Sequence, residues 1–322
     1  MSVFEDRDRE FFARELDSFL PDRVFDAHTH VWHRDLADGR LAGGPEDIDY
    51  AGYRQAMEEL HPGRHGAGLF LPSFKHRQFA KSNQWVADCA AAAADCRGMF
   101  FVTPTDDPEW VRQEVGRLGL HGLKCYHTMS PTKPTWESQI PDYLPEELVK
   151  VAHEEKWAIT LHMVKARAVA DPGNIHWIRH YCKTYPDMRL ILAHGARGFQ
   201  PEHNLEGLPL LTGFENLYFD TSVNCEPMAH QAIIRIMGHG KLMYGTDLPV
   251  SHSRGRSVGV ADSFLWLYDQ SPVWEEEHQT IQPLPIGMEH LRALKWACWS
   301  ERLTDTQIED IFWNNAARLF DL

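Results

Sequence analysis

The stretch VFDAHTHVWH, Val24 to His33, decides how this chain is read. An alternating apolar lead-in ends in two histidines one residue apart. Side chains alternate along a strand, so Asp26, His28 and His30 are expected to point the same way. Neutral imidazole is a common metal ligand. The run is therefore either a strand that delivers ligands to an ion or a strand whose polar side chains are satisfied locally. The rest of the chain has to decide.

Seven further short apolar runs follow. They are GAGLFLPS from Gly66, CRGMFFVTPT from Cys96, GLHGLKCYH from Gly119, WAITLHMV from Trp157, MRLILAHGA from Met188, NLYFDTSV from Asn216 and KLMYGTDLP from Lys241. Near-continuous apolar strands suit a parallel sheet covered by helices. Amphipathic stretches fill the gaps, among them QFAKSNQWVADCAAAAADC, DPEWVRQEVGRL with Asp107 as N-cap before Pro108, LPEELVKVAHEE, GNIHWIRHYCKTYP and PMAHQAIIRIMG. A doubly wound open sheet would want a glycine-rich phosphate loop after the first strand, and DAHTHVWHRD stands there instead. The pattern predicts an α/β fold, a (β/α)8 TIM barrel forming one domain over 1–322. Residues 1–22 are expected as an N-terminal helix that packs on or plugs the barrel. Residues 23–257 are expected to carry the eight barrel strands, and 258–322 the C-terminal helices.

The chain has 322 residues, 32 of them basic and 46 acidic, for a formal charge of −14. Such an acidic surface disfavours nucleic-acid backbones and anionic membranes. The first twenty residues lack a secretory pattern, and no apolar run reaches membrane-spanning length. The six cysteines form no CxxC pair and read as reduced, largely buried thiols, which points to the cytoplasm. The tryptophan-rich tail, FLWLYDQSPVW and LKWACWS, reads either as a homo-oligomer face or as helix-on-barrel packing.

In barrels of this kind the reactive side chains sit at the C-terminal ends of strands. His162 ends the fifth run, His194 the sixth and Asp247 the eighth. A histidine at the end of an apolar strand is costly unless paired or ligated. Three or more histidines and a carboxylate converging on one barrel mouth point to a divalent metal.

With these residues in view, the chain resembles the amidohydrolase superfamily. The HxH of the first strand, single histidines on the fifth and sixth and an aspartate on the eighth carry the likeness. The stretches DAHTHVW, TLHMV, LAHGA, LYFDTS and MYGTDLP look like the amidohydrolase-related branch, which includes hydrolases, lactonases and decarboxylases similar to aminocarboxymuconate semialdehyde decarboxylase. The resemblance implies that His28, His30, His162 and Asp247 hold one divalent metal. It makes Asp247 the general base and His194 the group that polarises substrate or water. Lys124, at the end of the fourth strand, is implied as a carboxylated bridge between two metals in one version of the family site, and as a substrate or ion-pair contact in the other. One ion is expected in preference to two. Zinc suits a histidine-rich site, while manganese, iron and cobalt fit the same ligands.

Just beyond the ligands, DLPVSHSRGR places His252, Arg254 and Arg256 in the loop after the eighth strand. Two arginines suit a substrate carboxylate, since guanidinium binds it as a fork. The alternative is a surface loop bridged to local acids. Trp32, His33, Tyr126, His127, Arg197 and Asn224 follow other strands and are candidates to shape the pocket. The function expected first is a metal-dependent hydrolase of a small carboxylated substrate through an amide, lactone or related C–N or C–O bond, using a metal-activated water. The second is a metal-dependent non-oxidative decarboxylase, a lyase built on the same ligands. The third is a barrel that binds a metal or small ligand without catalysis. The partner expected is a small anionic molecule, with neither nucleic acid nor membrane.

Overall fold

The computed structural model describes residues 4–36, 47–73, 78–276 and 279–322. Residues 1–3 and 277–278 of the predicted terminal segments lie outside these. Strand β1 spans Arg23–Val31 and β2 spans His65–Pro72; β3 (Arg97–Gly98) and β4 (Phe100–Phe101) are two halves of one barrel position. Then come β5 (Gly122–Tyr126), β6 (Ala158–His162), β7 (Arg189–Leu192), β8 (Leu217–Asp220) and β9 (Leu242–Met243). Each lies inside a run picked out in the sequence, except that β1 and β2 begin one residue earlier. All neighbouring pairs are parallel, in two sheets, β1-β2-β3 and β4-β5-β6-β7-β8-β9.

Hydrogen bonds close both seams. The Met99 amide donates to Phe70 O at 3.0 Å between the halves of the third position. At the other seam Ala27 N donates to Tyr244 O (2.8 Å), Asp247 N to His28 O (2.6 Å) and His30 N to Leu248 O (3.1 Å). Gly245 makes this seam geometrically feasible, because a Cβ there would lie 2.9 Å from His28 Cβ. These bonds close the circle, and β1 lies beside the segment that follows β9, where the site forms.

Helices cover the barrel where the amphipathic stretches predict them, at Phe79–Ala91, Pro108–Leu118, Glu146–Glu154, Pro172–Thr184 and Pro227–Met237. Asp107 caps the second by accepting from the Trp110 amide at 2.8 Å. Helix Tyr50–Leu60 was not singled out in the sequence. At the N-terminus a short helix, Asp6–Phe11, runs into a π-turn, Phe12–Leu16, and Phe19 packs edge-on to Phe312 at 5.6 Å. This segment therefore rests on the C-terminal helices.

The region after 257 departs from the all-helical expectation. It opens with an antiparallel hairpin, β10 (Gly255–Val260) and β11 (Ser263–Tyr268). Phe264, Trp266 and Tyr268 alternate along β11, a period of two that suits a strand. Phe199, in the segment after β7, stacks on Phe264 at 4.5 Å and meets Trp266 edge-on at 5.4 Å, so the hairpin folds over that side of the barrel mouth. Of the tail tryptophans, Trp313 is buried while Trp296 and Trp299 are exposed. All six cysteines are buried and unpaired. No helix among the described residues is long and apolar enough to cross a membrane.

Candidate metal centre and barrel mouth

Strand β1 carries a bulge between Asp26 and Thr29. Bulges re-aim side chains next to sites, and here the expected common direction of Asp26, His28 and His30 splits into two tasks. Asp26 turns into the seam, accepting from Thr246 N (2.7 Å), Thr246 Oγ1 (2.5 Å) and His28 N (3.2 Å). His28 and His30 reach Asp247. Their ligand atoms and one oxygen of Asp247 all lie within 4.8 Å of one another, and all three residues are buried.

The hydrogen-bond partners assign the tautomers of the two histidines. His28 Nδ1 lies 2.9 Å from Asp220 Oδ2, and His30 Nδ1 lies 3.0 Å from Pro72 O. Carboxylate and carbonyl only accept, so each Nδ1 carries the proton and each Nε2 presents a lone pair. Those lone pairs face the same carboxylate oxygen, Asp247 Oδ1, at 3.7 Å and 3.3 Å. Burial, then the charge of Lys124, push the His28 pKa down to about 4, which keeps its ring neutral at pH 7. Burial would raise the Asp247 carboxyl; positive charge on the surrounding imidazoles, His30 first, would hold it below the usual range, and with those rings neutral a bound cation takes over that task. Lys124 Nζ meets the His28 lone pair at 3.3 Å, but the His30 lone pair and the Asp247 carboxylate face each other in the dry interior and repel unless a cation joins them. The donor set therefore fits a divalent metal, and the imidazole-to-acid arrangement of His28 and Asp220 is the usual way such a ligand is oriented.

Asp220 was missed as a functional residue. Besides His28 it accepts from the His194 amide (3.0 Å) and the Ser222 amide (3.1 Å), and the Ser222 hydroxyl donates to it as well. Burial would raise this carboxyl, yet His28, His194 and these donors hold it far below the carboxylate norm. A signal existed in LYFDTS, because Asp220 ends its apolar strand just as His162 and His194 end theirs.

His194 follows β7 in a turn of left-handed backbone, with φ of +58° at His194, +60° at Gly195, +60° at Ala196 and +54° at Arg197. The three non-glycine members of the turn, His194, Ala196 and Arg197, cost roughly 1–2 kcal/mol each in isolation, so the surroundings must over-determine it. Asp220 holds the His194 amide, Asn224 Nδ2 donates to His194 O (3.3 Å) and Asn204 Nδ2 to Gly195 O (3.0 Å). The His194 ring lies 5.0 Å from His28, and its Nδ1 bonds Ser222 O at 3.2 Å and Ser222 Oγ at 3.0 Å. Its Nε2 is thereby left as a lone pair, and burial keeps the ring's pKa low.

His162, expected as a fourth ligand, does not join the group of three. It stacks on Tyr126 at 4.4 Å, lies edge-on to His194 at 5.1 Å, and its Nδ1 is buried without a protein partner. Burial, then His194, push its pKa well down. Lys124 is fully buried with Nζ 3.3 Å from His28 Nε2 and 5.4 Å from the Tyr126 ring. Burial lowers its pKa to about 8 against the pull of Asp220 and Asp247. Tyr126 also faces this space, its hydroxyl pKa raised by burial and by Asp247.

In the loop after β9, the residues expected to contact substrate have partners within the protein. Arg254 donates to Asp8 Oδ1 (3.2 Å) and Pro283 O (2.8 Å), and pairs with Glu5 at 3.3 Å. Arg256 donates to Cys225 O (3.2 Å) and lies 3.8 Å from Glu289. His252 bonds Ala56 O and Ser251 Oγ, each at 3.1 Å. All three are engaged in holding the N-terminal segment and the outer helices, because local acids and carbonyls reach them first. Trp32 is buried and pairs through its backbone with Ile48.

The sequence model of the amidohydrolase family matches residues 25–322. Among solved structures, the chain is similar to a probable 2-pyrone-4,6-dicarboxylic acid hydrolase from Acinetobacter baumannii with citric acid bound, at 16% identity over 93% of this chain and 99% of that one, TM-score 0.59. It is similar to 5-carboxyvanillate decarboxylase from Sphingomonas paucimobilis, at 16% identity over 94% and 100%, TM-score 0.59. A third, the 5-carboxyvanillate decarboxylase of Novosphingobium aromaticivorans with bound manganese, shares 13% identity over 93% and 97%, TM-score 0.56. At these identities the likeness speaks for the fold alone. No functionally curated protein matches the chain.

Proposed function

The chain belongs to the amidohydrolase family, and from that premise we propose that it is a metal-dependent hydrolase of a small carboxylated molecule, cleaving an amide, lactone or related C–N or C–O bond. The observation that carries this reading is the convergence of two Nε2 lone pairs and the Asp247 carboxylate in a buried space, each imidazole fixed from behind by an acceptor. His28, His30 and Asp247 are the residues that would hold the ion. A divalent cation held there, zinc or manganese among the candidates, supplies Lewis-acid polarisation of a substrate or water oxygen and brings the pKa of a water toward neutrality.

The chain's own groups then handle protons. Asp247 is ionised at neutral pH and can accept a proton from an attacking water, then return it to the leaving group. His194 starts neutral with a bare Nε2, so it stabilises an oxyanion only after it has taken up a proton. Asp220, held beneath both His28 and the His194 amide, supports that imidazolium. Tyr126 and Lys124 line the same space and shape it for substrate.

A non-oxidative decarboxylase is the second reading. The decarboxylase neighbours are as similar in fold as the hydrolase neighbour, which favours neither reaction. There Asp247 or His194 would first take up a proton from a substrate hydroxyl or from solvent and then pass it to the carbon that loses CO2. A panel of carboxylated amides, lactones and aromatic acids, incubated with the purified protein in 18O-labelled water, separates them. The hydrolase reading expects one labelled oxygen in the product and no CO2. Release of CO2 without label uptake would replace it with the lyase reading.

A further inference from the structure

The geometry points to Arg197 as the anchor for a carboxylate of the substrate, three residues beyond His194 on the same left-handed turn. This deepens the proposed function and rests on its site. Arg197 is half-buried at the barrel mouth. Its guanidinium carbon lies 5.5 Å from the centre of the Phe264 ring on β11. Among the described residues no carboxylate stands within ion-pair distance of it, although the chain has 46 acidic residues to spend. The other arginines of the mouth, Arg254 and Arg256, each have an acid neighbour.

The groups around Arg197 offer it no countercharge. Tyr126 and Tyr143 face it with neutral phenols, whose pKa values burial raises. His127 and His162 are neutral neighbours whose pKa values burial and then, in part, Arg197 push down, to about 4 for His127. A guanidinium withdrawn from water without a partner is unfavourable by itself. A fork of donors held in that state is matched by a planar anion, which it binds bidentately. The turn is fixed by Asp220, Asn204 and Asn224, so Arg197 and His194 keep a constant spacing. The stacked Phe199 and Phe264 rings, with Trp266 edge-on to them, form an apolar wall beside them. An acid whose carboxylate meets Arg197 would thus place its body along that wall and toward His194, whose ring is 5.7 Å from Phe199.

The test titrates the full-length, as-purified protein with benzoate and with benzamide, a neutral probe of the same shape, by calorimetry. Wild type is expected to bind benzoate at least about tenfold more tightly, the scale of a charge-assisted hydrogen-bond pair. Arg197→Gln should lose that preference with benzamide affinity unchanged, and Arg197→Lys should keep part of it. The Arg197→Gln protein should melt no lower than wild type, since an unpaired charge has been removed. A wild type indifferent to the charge of the probe, or an Arg197→Gln protein that keeps the preference, would overturn the assignment. Metal content of the same samples separates the two readings. A preference that depends on Arg197 in a metal-free protein upholds the anchor and sinks the metal-dependent function, and an Arg197-independent preference in a metal-loaded protein does the reverse.

Discussion

Two stretches border the barrel mouth, and each carries a histidine followed by arginine. In the loop after β9, His252, Arg254 and Arg256 all find partners in the protein, from Ala56 O to Asp8, Glu5 and Glu289. In the turn after β7, His194 keeps a bare Nε2 and Arg197 has no acid within ion-pair distance among the described residues. The sequence pattern favours the first stretch for substrate contact, since it has two arginines and follows Asp247, the aspartate expected to hold a metal. The structure gives the first stretch a structural task and leaves the reactive valences in the second. Composition identifies cations; only the accounting of their partners says which are available.

This contrast can be broken most forcefully at Arg254. Its partner Asp8 is completely buried, and the arginine side chain is only 12% exposed. Arg254→Ala would strand that carboxylate, at a cost of about 3–5 kcal/mol in stability. Thermal unfolding should register the loss while KM for any substrate stays put. A raised KM at unchanged stability would return Arg254 to the substrate side of the comparison.

A smaller effect per residue, about 2 kcal/mol at pH 5, comes from the buried histidines. His61, behind β9, bonds the Tyr244 hydroxyl at 2.8 Å, and burial holds its pKa near about 3. His230, beneath the turn side, accepts no charge either, with burial holding it at about 4. Both fold as neutral rings, with pKa values below the unfolded value of about 6.5. Above that value they leave stability unchanged. As pH falls from about 6.5 toward 4 the unfolded chain takes up protons that the native state refuses, so stability falls by about 1.4 kcal/mol per pH unit for each ring. A melting temperature that drops between pH 7 and pH 5, and drops less in His61→Gln, sharpens the picture of a dry, neutral interior. A flat profile would contradict it.

The eight strands were legible because each is a short apolar run bounded by turns, and burial on both faces leaves that mark in sequence. The ligand candidates were legible for the same reason, since a histidine or aspartate closing an apolar strand has few structural excuses. His162 shows the limit of that logic. It ends its strand as expected, yet its ring stacks on Tyr126 outside the group of three, a matter of side-chain rotation that strand periodicity cannot fix. The left-handed turn at His194–Arg197 was illegible because only one of its four residues is glycine; the conformation is imposed from outside by Asp220, Asn204 and Asn224. The β10–β11 hairpin leaves little mark in the sequence of the C-terminal region because its alternation is confined to a few residues. Asp220 was visible in LYFDTS, but its work lies behind His28, and spacing along the chain does not reveal what stands behind a ligand.

The central claim is that β1 and the segment after β9 together present one three-residue metal site, His28, His30 and Asp247. Elemental mass spectrometry of protein purified without chelator or added metal tests it most directly. The account predicts about one divalent ion per chain in wild type, a near-complete loss in His30→Ala, and retention in His162→Ala. Two ions per chain, or an ion lost with His162 and kept without His30, would contradict it.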